Sequence, residues 1–222
     1  MNTALYVLTD GRRDYLAQTI ASAQDKLHGD FSYLLIVNDA DDDAFAAHLE
    51  VAYPRFTIVH HDERLGMSGA VRSAWETALR TGAHYVFGLE EDWTFNRKIK
   101  VDRMIRLLHC EPHLAQVLLK RQPWNDEEIA AGNIIQAYPD EHTDHSCPSG
   151  NWVEHRRLFS FNPFIAPRHV LELALAESAD TLERGVTDTL LKHDYSFAYY
   201  GKRDDEPRCH HIGVSRSNGY KW

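Results

Sequence analysis

The apolar positions of the first ninety residues fall into two alternating patterns. Unbroken apolar runs at Ala4–Thr9, Tyr33–Asn38, Phe56–His60 and Tyr85–Leu89 have the length and saturation of strands buried on both faces. Between them apolar residues recur at helical spacing, as Leu16, Ile20, Ala23 and Leu27, then as Phe45, Leu49 and Tyr53. A third helix is predicted over Ser68–Thr81, with Ser68 as its N-cap and Gly82 at its end. Strand and helix alternate, so the predicted fold class is α/β: a Rossmann-like, mostly parallel sheet with helices on both faces.

Past residue 95 the pattern loosens. A helix is predicted at Val101–Leu108 and a strand at Leu114–Leu119. From Arg121 to Arg157 the chain is polar and rich in Pro, Gly, His and Trp, and reads as one long loop. A loop of that length in a compact domain is usually functional or mobile. A strand at Leu158–Phe161, helices at Arg168–Glu177 and Leu182–His193, a strand at Tyr195–Tyr200 and a polar tail complete the reading. Without a repeat, a low-complexity tract or a Gly/Ser linker, residues 1–222 are expected to form a single domain with halves at 1–95 and 96–222.

The formal net charge is −9, which argues against nonspecific attraction to nucleic acid or to an anionic membrane. No run approaches the ~20 apolar residues of a transmembrane helix. The first ten residues lack a basic flank and a cleavage site, and the three cysteines form no disulfide framework. The expected location is therefore a reducing cytoplasm, with no membrane partner.

In an open parallel sheet, ligands bind beyond the carboxyl ends of the strands. Those ends carry Thr9 and Asp10, then Asp39, then Glu90-Glu91-Asp92. Each alone reads equally well as a polar turn; their convergence on one edge is harder to dismiss. Three adjacent carboxylates after so apolar a strand repel one another unless a hard cation, Mn²⁺ or Mg²⁺, is held among them, a solvated acidic turn being the alternative. Such a cation also lets a phosphate-bearing ligand approach an acidic chain. There is no GxGxxG and no GxxxxGK[ST], so neither a dinucleotide fingerprint nor a P-loop is present. His142, Asp144, His145 and Cys147 match no standard zinc spacing.

Leu-Glu-Glu-Asp-Trp at 89–93 resembles the DxD-type motif of GT-A glycosyltransferases of the inverting, family 2 kind. Leu8–Leu16 is similar to that family's opening strand and nucleotide-binding turn, and Val37-Asn38-Asp39 to its second-strand aspartate. Leu65–Trp75 resembles its Gly-containing segment and following helix. Downstream, Ser160–Phe164 is similar to the stretch before the acceptor region, Gly185–Leu191 to the helix start that supplies the base, and His210–Gly213 to the C-terminal metal histidine.

The resemblance implies a nucleotide-sugar donor, uridine-based by expectation, bound in the 1–95 half, and an acceptor bound in the 96–222 half. It implies donor contacts from Thr9, Asp10, Arg12, Asp39, Gly66, Arg72, Glu90 and Glu91, a metal on Asp92 and His211, and Asp188 as the base. A helix-start carboxylate is the plain alternative for Asp188, and an exposed helical arginine for Arg12 and Arg72. Trp93, Trp124 and Trp152 are candidates to stack on a sugar or base, although tryptophans more often pack.

Compact bacteriophage transferases that glycosylate hydroxymethylated DNA bases are similar in size and layout. Arg97, Lys98, Lys100, Arg103 and Arg106, with Arg156 and Arg157, are candidates to track phosphates. A glycan, protein or small-molecule acceptor is the other expectation, favoured by the overall acidity. A nucleotidyltransferase and a noncatalytic sugar- or nucleotide-binding module are the competing functions.

Overall fold

The computed structural model describes residues 2–213. Its centre is a nine-stranded sheet. Four parallel strands form one side: β1 (Thr3–Thr9), β3 (Tyr33–Asn38), β4 (Thr57–His60) and β5 (Tyr85–Glu90), in the order β4-β3-β1-β5. The sheet continues through β11 (Phe164–Pro167), β8 (Leu114–Leu118), β12 (Ser196–Tyr200), β10 (Gly150–His155) and β9 (His142–Cys147). β11 opposes both its neighbours and β10 both of its own, so the other seven strands share one direction. The sheet is mostly parallel, as predicted. Two small ribbons flank it: β2 (Leu27–His28) with β7 (Ile99–Lys100), and β6 (Trp93–Phe95) with β13 (Cys209–His211).

Strand alternation divides the core in two. Ala4, Tyr6 and Leu8 of β1 face a cluster with α3 (Gly66–Arg80), α7 (Arg168–Glu177) and α8 (Glu183–Lys192). Leu5 and Val7 face the opposite cluster, with α1 (Arg13–Lys26), α2 (Asp43–Ala52) and α4 (Val101–Cys110). Helices therefore cover both faces. At the centre, β5 passes so close to β1 that a Cβ on Gly88 would lie 2.5 Å from the Tyr6 hydroxyl and 2.6 Å from Phe164. Trp75 Nε1 donates to that hydroxyl at 3.2 Å, so the buried phenol is satisfied.

Three expectations are corrected. The Arg121–Arg157 segment is not a loop. It holds the short helices α5 (Asp126–Ala131) and α6 (Ile134–Ala137), a 3₁₀ turn at Pro139–Glu141 and the β9–β10 hairpin. β9 is an edge strand with four of its six residues exposed, so it lacks the apolar signal of a buried strand. Leu158–Phe161 is not a strand: Phe159 and Phe161 enter the core, but the amides of residues 159–161 bond to side chains of Thr187, Gln116 and Glu183 instead of a ladder. Ser68 is not the N-cap. α3 begins two residues earlier, and Ser68 Oγ lies within the helix, paired with Thr181. Gly82, at φ +81°, does end that helix. The tail beyond Gly213 lies outside the described residues.

Candidate active site

The turn after β1 and the end of β5 form one buried cluster. The Thr9 hydroxyl donates to Glu91 Oε2, and the Asp10 and Arg12 amides donate to the same carboxylate at 3.2 and 3.3 Å. Arg12 Nε bonds Glu91 Oε1 at 2.7 Å and Asp10 Oδ1 at 3.0 Å, while its NH2 reaches Asp92 Oδ2 at 2.8 Å. One guanidinium thus ties three carboxylates together. Glu91 points back into the turn and is fully buried, so it braces that turn. Its neighbours alternate away from it: the Trp93 indole N–H lies 3.4 Å from Glu90 Oε2, and Asp92 meets His211.

His211 is held in place from three sides. β13 pairs it with Trp93. Gln122 clamps its backbone, donating to the His211 carbonyl at 2.9 Å and accepting from its amide at 3.0 Å. Its Nε2 lies 3.2 Å from Asp92 Oδ2. The rings of Trp93 and Trp124 stand edge-on to it at 5.0 and 4.6 Å.

The carboxyls differ in proton affinity for stated reasons. Burial, then Asp10, pushes Glu91 up to about 9. Burial, then Asp92 and Glu183, pushes Glu90 up to about 8. Burial acts on Asp92 in the same sense, but His211 and Arg12 together hold it below the ordinary carboxylate range. Burial would lower the Arg12 pKa, yet Glu91, Asp92 and Asp10 raise it, so the guanidinium stays charged.

Asp39 follows β3 at the same edge. Its two oxygens accept from the amides of Leu65 at 2.7 Å and Gly66 at 3.0 Å, fixing the start of α3. Gly66 sits at φ +70°, where a side chain would be strained.

Two candidates lie elsewhere. Arg72 pairs with Glu76 at 3.6 Å and reaches the Leu175 carbonyl, so it points toward α7 and away from the cluster. Asp188 is exposed on α8, paired with Arg184 at 3.1 Å. The buried residues of α8 are Val186, Thr187, Thr189 and Leu190; half-buried Glu183 lies on the side of Val186, Thr187 and Leu190, and five residues of helix turn exposed Asp188 about 140° from it.

Sequence reasoning missed Glu183, the first residue of that helix. Its Oε1 accepts from Ser160 Oγ at 3.0 Å and from the Phe161 amide at 2.7 Å. Its pKa is raised by burial, and its charge is felt at Glu90. A glutamate at a helix start, in register with Val186, Thr187 and Leu190, was the available signal.

The aromatic and basic candidates separate too. Trp93 and Trp152 are buried, Trp152 under His145 with ring centroids 5.1 Å apart, whereas Trp124 is 49% exposed. Arg157 bonds Glu141, and Arg156 meets the Leu191 carbonyl and Asp194. Lys100, Arg103 and Arg106 line a surface cavity with His28, where the chain leaves α1 for the amino end of β3. That is the sheet edge opposite the carboxylate cluster.

Among the described residues no three His, Cys, Asp or Glu side chains gather to hold an ion. Asp92 Oδ2 and His211 Nε2 do fit one: an oxygen and an imidazole nitrogen within 3.2 Å suit a divalent cation whose other ligands come from phosphate and water.

The glycosyl transferase family 2 profile matches residues 6–162, more than half of the chain. The chain belongs to glycosyl transferase family 2. Among solved structures, GalNAc-T7, crystallised with UDP, GalNAc and Mn²⁺, matches all of this chain with a TM-score of 0.68. Sequence identity is 9%, so the likeness is one of fold, and this family 2 chain spans 45% of the GalNAc-T7 chain. It bears out the GT-A architecture. No curated protein matches the sequence. No helix among the described residues is long and apolar enough to cross a membrane.

Proposed function

We propose that the protein transfers a sugar from a uridine diphosphate sugar to an acceptor hydroxyl with inversion, using Glu183 as the base. The observation that carries the reading is the pairing of Asp92 with His211 at the strand edge where Thr9, Asp10 and Arg12 also meet. Asp92 and His211 would hold Mn²⁺ or Mg²⁺, which when bound offsets the charge growing on the departing diphosphate. Glu90, one place before Glu91, is the carboxyl offered to the ribose or the donor sugar. Asp39 and Gly66 shape the nucleoside end.

Glu183 fits the base because a half-buried carboxyl whose pKa desolvation raises accepts a proton more readily than an exposed one. It takes the acceptor hydroxyl's proton as the acceptor oxygen bonds to the anomeric carbon and the carbon–phosphate oxygen bond breaks. Attack from the face opposite the diphosphate inverts the centre. Trp124, exposed beside His211, offers the acceptor a ring to lie on.

A DNA-base acceptor is not favoured. Arg156 and Arg157 are engaged with the protein, the α4 cations lie at the opposite edge, and Trp152 is buried. Calorimetry with UDP tests the donor reading: binding with Mn²⁺ that EDTA abolishes is expected, and equal affinity without metal refutes it. Labelled donors offered with sugars or with hydroxymethylated DNA then sort the acceptor, and the anomeric NMR signal of the product reports inversion.

A further inference from the structure

We infer that in the nucleotide-free protein Arg12 competes with the divalent cation for Asp92, and that the donor diphosphate ends the competition by drawing Arg12 onto itself. The inference rests on the proposed reading of Asp92 and His211 as the metal's protein ligands.

The Asp92 side chain is 7% exposed, and two groups already converge on its Oδ2: Arg12 NH2 at 2.8 Å and His211 Nε2 at 3.2 Å. A cation held by Asp92 and His211 would have to share the surroundings of Asp92 Oδ2 with the Arg12 guanidinium. Two positive groups that close in a buried pocket repel strongly. Arg12 cannot relieve this by losing its proton.

It can move. Its guanidinium moves as one rigid plane, so turning the aliphatic part of the side chain lifts NH2 off Asp92 while Asp10 and Glu91 remain beside it as counter-charges. The side chain is 20% exposed, at the rim of an otherwise closed cluster. A planar guanidinium fork matches two phosphate oxygens. A diphosphate therefore supplies an anion for the released end of Arg12 and the coordination positions that Asp92 and His211 leave open. Arg12 is the site's own cation until the donor arrives. Metal and donor then bind together.

If Arg12 were only a brace for Glu91, its removal would loosen the turn and weaken metal binding. Competition predicts the opposite sign. Free Mn²⁺ followed by electron paramagnetic resonance, without nucleotide, should show Arg12→Ala binding at least tenfold more tightly than the wild type. UDP should tighten Mn²⁺ binding less in the variant than in the wild type. Arg12→Lys keeps the charge without the fork and should fall between them; it decides the question if thermal melting shows Arg12→Ala to be unfolded. Equal or weaker nucleotide-free binding by a folded variant overturns the inference. Wild type that binds Mn²⁺ with UDP while the variants gain nothing removes only this inference; wild type that does not bind Mn²⁺ with UDP removes the donor-site reading and the inference with it.

Discussion

Glu183→Gln separates the proposed chemistry from the architecture around it. The glutamine carbonyl can still accept from Ser160 Oγ and the Phe161 amide, now at 3.0 and 2.7 Å, so the stretch before β11 keeps its support. What disappears is the proton acceptor. A positioned general base contributes about 10²–10⁴ in rate, or about 3–5 kcal/mol of barrier. Turnover at saturating donor and acceptor should fall by that factor while UDP affinity in Mn²⁺ stays put, because Glu183 makes no bond to the Thr9–Asp92 cluster. The base works only when ionised, and burial raises its pKa. In the wild type kcat/KM should therefore climb with pH through a midpoint above the ordinary glutamate value of about 4.3, and this limb should vanish in the variant. The stability sign is fixed as well. A raised carboxyl pKa favours the fold below the unfolded value and loses that advantage as pH rises through the folded one. Glu183→Gln should thus be no less stable than the wild type at pH 8. Turnover within tenfold of wild type would refute the assignment of the base.

Asp188→Asn should change turnover less than twofold and stability by about 0.5 kcal/mol or less, because it removes only an exposed i,i+4 pair with Arg184, read by steady-state kinetics and thermal melting. His211→Ala should leave the fold intact and weaken Mn²⁺-dependent UDP binding by about tenfold or more, measured by calorimetry, since one of two protein ligands is lost. Gly88→Ala should destabilise by about 1–3 kcal/mol, seen as a lower urea midpoint, because its Cβ meets Tyr6 and Phe164 where neither can withdraw.

The parallel half of the fold was legible because β1 and β5, and most of β3, are buried on both faces and read as unbroken apolar runs between amphipathic helices, with β4 the partly exposed edge strand. The other half obeys weaker rules. The β9–β10 hairpin pairs a mostly exposed edge strand with a half-buried one, so polar residues stand where a buried strand would show Val or Ile. Phe159 and Phe161 alternate like a strand, yet their amides are satisfied by Thr187 and Glu183, and only tertiary contacts reveal that. The candidate base shows a related effect. The spacing predicts the helix from Leu182 and it opens at Glu183, but the family-motif match falls on Thr187-Asp188, where Asp188, five residues further on, is exposed. The DxD-type run was legible as a cluster, but not the division of labour within it. That division is set in the turn after β5, where Glu91 meets Thr9 and Arg12 while Asp92 meets Arg12 and His211.

The acidity of the chain and the anionic donor are reconciled locally. Asp10, Glu90, Glu91 and Asp92 would place four negative charges beside a diphosphate if all were ionised. Burial keeps Glu90 and Glu91 from ionising freely, with pKa values pushed to about 8 and 9. Asp92 is the carboxyl that its neighbours hold charged, and His211 stands against it. On the proposed reading, the cluster would offer the cation a carboxylate whose pKa its neighbours lower, and offer the phosphate a guanidinium at the rim. On that reading a chain with net charge −9 would need no basic surface near its donor, because one side chain and one ion would supply the opposing charge. Salt should then weaken UDP binding only modestly, since close, partly buried pairs are poorly screened; a steep dependence would mean that the exposed cations of α4, at the far edge, had been recruited instead.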